Sequence, residues 1–76
     1  MADITNKEKE ILRILFKRGA LTPIELSVEQ LEMPDKIGQL IAKLEKKGYI
    51  SKKPLKSGLE NEVITISEKG MRVLKE

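Results

Sequence analysis

The stretch DKIGQLIAKLEKKGYISKKPLKSG, residues 35–58, carries seven lysines and two acids, yet its Ile37, Leu40, Ile41 and Leu44 fall at helical spacing. At about 100° per residue these four share one narrow face, with Asp35, Gln39, Ala42 and Lys46 opposite and Lys36 and Lys43 flanking. A helix over about residues 34–47 therefore has one side for a core and another for something outside it. Gly48 suits the position just past the helix end, where a left-handed backbone is common. Tyr49-Ile50-Ser51-Lys52-Lys53 then reads as a strand, and Glu62-Val63-Ile64-Thr65-Ile66 as a second one rich in β-branched residues. Between them Pro54 to Asn61 holds the breakers of a long hairpin loop.

Upstream, Thr5 followed by Glu8 matches a capping box, in which hydroxyl and carboxylate each satisfy an unpaired backbone N–H. The first helix is expected over about residues 6–18, with Ile11, Leu12, Leu15 and Phe16 as its core stripe and Gly19 as its stop. Thr22-Pro23-Ile24-Glu25 repeats the capping logic with proline at the first helical position. From there Ile24, Val28 and Leu31, widened by Leu26, predict a second amphipathic helix reaching about Leu31. Pro34 disfavours a helical Met33 and so separates this helix from the next. Ser67 is a plausible cap for a short last helix containing Met71, Val73 and Leu74, although Gly70 in its first turn weakens it. Tyr49 and Phe16, the only aromatic residues, read as core.

Seventy-six residues bound the answer to a single small domain, residues 1–76, with no room for a second core or an enclosing cleft. Apolar residues make up 39% and charged residues 36%, a balance that suits a compact fold with a heavily solvated surface. No Cys or His occurs, which removes disulfides, thiolate nucleophiles, zinc sites and imidazole chemistry together. No nucleophile–base pair or phosphate-cradling loop appears either, so an enzyme is not expected, and neither is a cofactor or metal. No apolar run approaches the roughly 20 residues of a membrane span, so a cytoplasmic, soluble protein is expected. The charge is uneven. Residues 36–56 hold seven lysines and one carboxylate, while the rest of the chain holds eight basic and eleven acidic residues. That asymmetry favours a polyanionic partner over a merely solvated face.

Three helices followed by a β-hairpin wing and a short C-terminal helix make an α+β fold in winged helix-turn-helix order. The segments LTPIEL (21–26), IAKLEKKGYI (41–50) and ITISEKG (64–70) resemble recurrent segments of MarR-type and related archaeal winged-helix regulators. The similarity covers about residues 8–74. Two features depart from the pattern: the entry Met33-Pro34-Asp35-Lys36-Ile37 is one residue shorter than usual and lacks the Ser or Thr that caps the recognition helix, and the chain reaches Glu76 without the long dimer-building helices. It looks more like the minimal winged-helix regulators of archaea and their viruses or plasmids.

The resemblance implies a transcription regulator bound to double-stranded DNA, acting as a homodimer, with helix 1 around Ile14 or the Met71–Leu74 segment as dimer surface. In a major groove, Gln39 can pair bidentately with adenine, Lys43 can reach guanine, and Lys36 and Lys46 are placed for bases or phosphates. Asp35 is better explained as a partner for the helix dipole. In the wing, over about residues 49–66, Lys52, Lys53 and Lys56 can reach phosphates or the minor groove. Leu55 and Leu59 in its loop either fold back onto the domain or touch a partner. The competing reading is a winged-helix protein–protein interaction module within a larger complex, for which the exposed side of helix 3 would be chemically neutral.

Overall fold

The computed structural model describes residues 4–54 and 62–75. They build α1 (Asn6–Arg18), β1 (Ala20–Leu21), α2 (Pro23–Gln30), α3 (Pro34–Lys47), β2 (Ile50–Pro54), β3 (Glu62–Ile66) and α4 (Glu68–Lys75). Lys56, Leu55 and Leu59 lie outside the described residues.

Both predicted capping boxes form. The Thr5 N–H donates to Glu8 Oε1 at 2.9 Å while the Glu8 N–H donates to the Thr5 hydroxyl at 3.2 Å, and Thr22 and Glu25 repeat the exchange at 2.9 and 3.2 Å. These pairings satisfy backbone donors that a helix start otherwise leaves open, so two adjacent threonine-led turns set where α1 and α2 begin. At the other end of α3, Gly48 adopts φ 84°, its N–H donates to the Glu45 carbonyl, and the Tyr49 N–H donates to the Leu44 carbonyl, both at 3.0 Å. This pair of bonds is a Schellman motif, and it turns the chain directly into β2.

The sheet is antiparallel in the order β1-β3-β2. β1 is absent from the sequence reading. Two residues are too few for a periodic signal, and Ala20 and Leu21 become a strand only because β3 offers Thr65 and Ile64 as partners. One apolar cluster joins Ile11, Leu12 and Leu15 of α1, Leu26 of α2, and Ile37, Ile41 and Leu44 of α3 to Leu21, Tyr49, Ile50, Ile64 and Val73. Leu40 is half-buried against it, as are Ile14 and Leu74, so both suggested dimer surfaces are partly used by the chain's own core.

Two expected core assignments are overturned. Phe16 is more than half exposed, because α1 buries the tighter row Glu8, Ile11, Leu12 and Leu15 and leaves Phe16 beyond its edge. On α2 the buried residues are Leu26 and Ser27, while Ile24, Val28 and Leu31 face water. α2 has only two turns and reaches α3 through residues 31–33, so this short connection fixes its rotation against the wider apolar row. Ser27 fits the contact because it is small and its hydroxyl donates to the Ile24 carbonyl at 2.7 Å.

Gly70 corrects a third expectation. A methyl group added there would overlap the Tyr49 carbonyl oxygen and lie 2.8 Å from Ile66 Cγ1. The residue that weakens α4 by propensity is what lets α4 pack against the α3–β2 junction. Among the described residues, no helix is long and apolar enough to cross a membrane.

Candidate nucleic-acid interface

With Ile37, Ile41 and Leu44 anchored in the core, the helical period turns Asp35, Gln39, Ala42 and Lys46 outward. Lys36, Gln39, Lys43 and Lys46 are all exposed, as expected, along about 15 Å of helix. Gly38 and Ala42 are exposed too, and a Cβ at Gly38 would meet nothing within 4 Å, so the surface between the lysines is smooth. Met33 caps α3 without a side-chain hydrogen bond, in keeping with its lack of an oxygen. Asp35 supplies the one carboxylate of the first turn and complements its positive dipole end.

The wing lysines are separated from one another. Successive strand residues point to opposite faces. Lys52 shares the inner face with Ile50, and its Nζ lies 3.4 Å from Glu45 on α3 and 3.8 Å from Glu62 on β3. Lys53 takes the outer face and is exposed. Lys52 is thus a strut between α3 and the wing, whereas Lys53 projects away from it. Sequence reasoning missed the role of Glu45, which counted only as a lone acid in a basic run. Its partner becomes visible only once the register of β2 against α3 is known.

A second link, also missed, joins α3 to α4. The Ser67 hydroxyl donates to the Gly48 carbonyl at 2.6 Å and accepts from the Gly70 N–H at 3.1 Å. Lys69 Nζ donates to the Lys47 carbonyl at 3.0 Å and lies 5.3 Å from the centre of the Tyr49 ring. A cation placed on the last carbonyls of α3 complements the negative end of its dipole. At its inner edge, Lys47 Nζ lies 3.3 Å from Glu8 Oε1, tying α3 to the first turn of α1. The polar face of α3 is therefore carried by a helix held at both its wing side and its C-terminus.

No family model and no curated protein matches the chain. Solved structures do. A mutant MarR from E. coli complexed with operator DNA superposes with a TM-score of 0.89 over 96% of this chain and 52% of that one, at 18% identity. The same architecture is the MarR-type winged helix. The transcriptional regulator Tm0710 from Thermotoga maritima matches this winged helix at 28% identity and a TM-score of 0.89, over 95% of this chain and 51% of that one. An S. aureus MepR–DNA complex matches at 20% identity and 0.88, over 96% and 60%. The chain thus spans between half and three-fifths of these structures. Within the winged helix, α2 and α3 are the helix-turn-helix pair and the β2–β3 hairpin is the wing. Met33 to Asp35, where the sequence departs from the usual pattern, forms a normal helix entry with proline in its first turn.

Proposed function

We propose that this winged helix is a sequence-specific, double-stranded DNA-binding transcription regulator, with α3 in the major groove and the wing on the backbone or minor groove. The observation that carries the reading is the exposed face of α3, where Lys36, Lys43 and Lys46 surround Gln39 and two small residues on a rigidly seated helix. Bulky apolar groups on that face would hold the helix away from base edges, and none is there. The fold closely matches those of a MarR complexed with operator DNA and of MepR in a DNA complex, which supports DNA as the partner. In this reading Gln39 reads adenine and Lys43 guanine. Lys36, Lys46, Lys53 and Lys56 neutralise phosphates, and Lys52 sets the wing's distance from α3. Residues 1–76 act as one DNA-binding unit in the cytoplasm, paired as a homodimer.

A fluorescence-anisotropy salt titration on the protein's own upstream region and on random DNA tests this. Binding is expected at low salt, with log affinity falling by about 0.9 per neutralised phosphate for each decade of salt. Gln39→Ala should mainly relax sequence preference, whereas Lys53→Ala should weaken every DNA about equally and reduce the slope by about one. Absence of binding to either DNA at low salt would sink the proposal and leave the protein–protein module.

A further inference from the structure

The basic surface formed by α3 and the wing has an acidic interruption. Alternate residues of a strand and their cross-strand partners share one face of a hairpin, and the register pairs Ile50 with Ile66, Lys52 with Ile64 and Pro54 with Glu62. The inner face of the wing therefore passes from core, at Ile50 and the fully buried Ile64, to polar side chains at Lys52 and Glu62. Where this face meets α3, Lys52 Nζ lies 3.4 Å from Glu45 Oε1 and 3.8 Å from Glu62 Oε1. One ammonium faces two carboxylates, so the junction is net negative. Lys43 and Lys46 on α3 and Lys53 on the wing, by contrast, are exposed to solvent.

Stability does not account for this group. The side chains of Lys52, Glu45 and Glu62 are 30, 46 and 43% exposed, and ion pairs so open to water add little to folding. Their effect falls on a charge that approaches from outside. Adjacent major and minor grooves of a duplex are divided by a sugar–phosphate strand. With α3 in one groove and the wing on the backbone or in the next groove, that strand crosses the gap which Glu45, Lys52 and Glu62 span.

We propose that Glu45 and Glu62 are specificity-determining residues that withhold Lys52 from DNA. The inference rests on the DNA-binding reading above and adds what the junction does to it. Lys52 has the charge and the place to neutralise a phosphate, but its ammonium is engaged by two carboxylates that themselves repel that phosphate. Phosphate contacts strengthen binding to every sequence and carry no sequence information directly. Holding one back lowers sequence-independent affinity without touching Gln39 or Lys43. A greater share of the binding energy is then left to base edges.

Fluorescence anisotropy over a salt series, on a random-sequence duplex and on the protein's own upstream region, tests this with the double variant Glu45→Gln, Glu62→Gln. Glutamine keeps an oxygen acceptor for Lys52 but removes the charge. The double variant is expected to bind both DNAs about tenfold more tightly at low salt, and its log affinity should fall by about 0.9 more per decade of salt, as for one added phosphate contact. Adding Lys52→Ala should remove that increment, whereas Lys52→Ala in the parent should flatten the slope by much less than Lys53→Ala does. An unchanged melting temperature of the double variant separates altered docking from altered folding. Equal flattening by Lys52→Ala in both backgrounds would mean that Lys52 already meets phosphate, and unchanged or weaker binding by the double variant would mean that the carboxylates only position the wing. Either result overturns the proposal and leaves the DNA-binding reading standing. A parent that binds neither duplex at low salt overturns that reading and the proposal with it.

Discussion

Gly70→Ala is expected to destabilise the domain by roughly 3 kcal/mol, which at this size lowers Tm by about 12 to 24 °C in thermal unfolding followed by circular dichroism. Propensity alone argues for the opposite sign, since alanine is favoured over glycine inside a helix by up to about 1 kcal/mol. Packing decides the outcome. The new methyl overlaps the Tyr49 carbonyl oxygen, and that oxygen is held in place, since it accepts the Ser67 N–H at 2.9 Å. Retreat would have to strip Ser67 from Gly48 and Lys69 from the end of α3. Gly38→Ala supplies the control. An added Cβ there meets nothing within 4 Å, so the same change should stabilise by about 0.5 to 1 kcal/mol. A Gly70→Ala protein as stable as the parent would mean that α4 does not seat on the α3–β2 junction.

The second large effect centres on Glu8. Its carboxylate is buried, which by itself raises its pKa. The Thr5 N–H, the hydrogen bond and charge of Lys47, and the Thr5 hydroxyl together outweigh burial and hold it below the ordinary carboxylate value. A lowered folded-state pKa means that this stabilisation is complete above the unfolded value of about 4.3 and is lost as pH falls through the folded one. Glu25, held down chiefly by the Thr22 N–H, and Glu32, held down chiefly by Lys7, shift in the same direction. Stability should therefore be flat towards neutral pH and fall in the acid range below about 4. Glu8→Ala removes a capping partner and the anion facing Lys47 at once, at an expected cost of about 2 to 4 kcal/mol at neutral pH. Glu8→Gln can still accept from the Thr5 N–H, so it should lose less and show a shallower acid decline. Urea unfolding of the three proteins at neutral and acid pH checks both statements. An acid decline as steep in Glu8→Gln as in the parent would remove Glu8 from the account.

What the sequence disclosed follows from how local each feature is. Thr5 with Glu8, Thr22 with Pro23 and Glu25, and Gly48 all act within one turn of chain, and the helix boundaries they imply form as expected. α3 was legible because a fourteen-residue helix repeats its pattern often enough to fix its phase, and with it the outward positions of Gln39, Lys43 and Lys46. α2 has eight residues, so its apolar row competed with a three-residue connection, and the connection won. The Lys52–Glu45 strut, the Glu8–Lys47 pair and the Gly70–Tyr49 contact each join segments distant along the chain or meeting only in the packed fold. No periodicity could announce them. Their common message is that lysines equal in a sequence are unequal in a structure: Lys47 and Lys52 face carboxylates, while Lys43, Lys46 and Lys53 are open to solvent.

Among the described residues, the strand order β1-β3-β2 leaves β2 at the sheet margin, with no neighbouring strand for its outer backbone groups. Such a margin can recruit the same margin of another molecule and grow. Here it ends in Lys53 and Pro54, an exposed cation that repels its own copies and a residue that cannot donate a ladder bond. The end of β2 is thus poorly suited to pairing with the same edge of another molecule, whatever Lys53 touches when a partner is present.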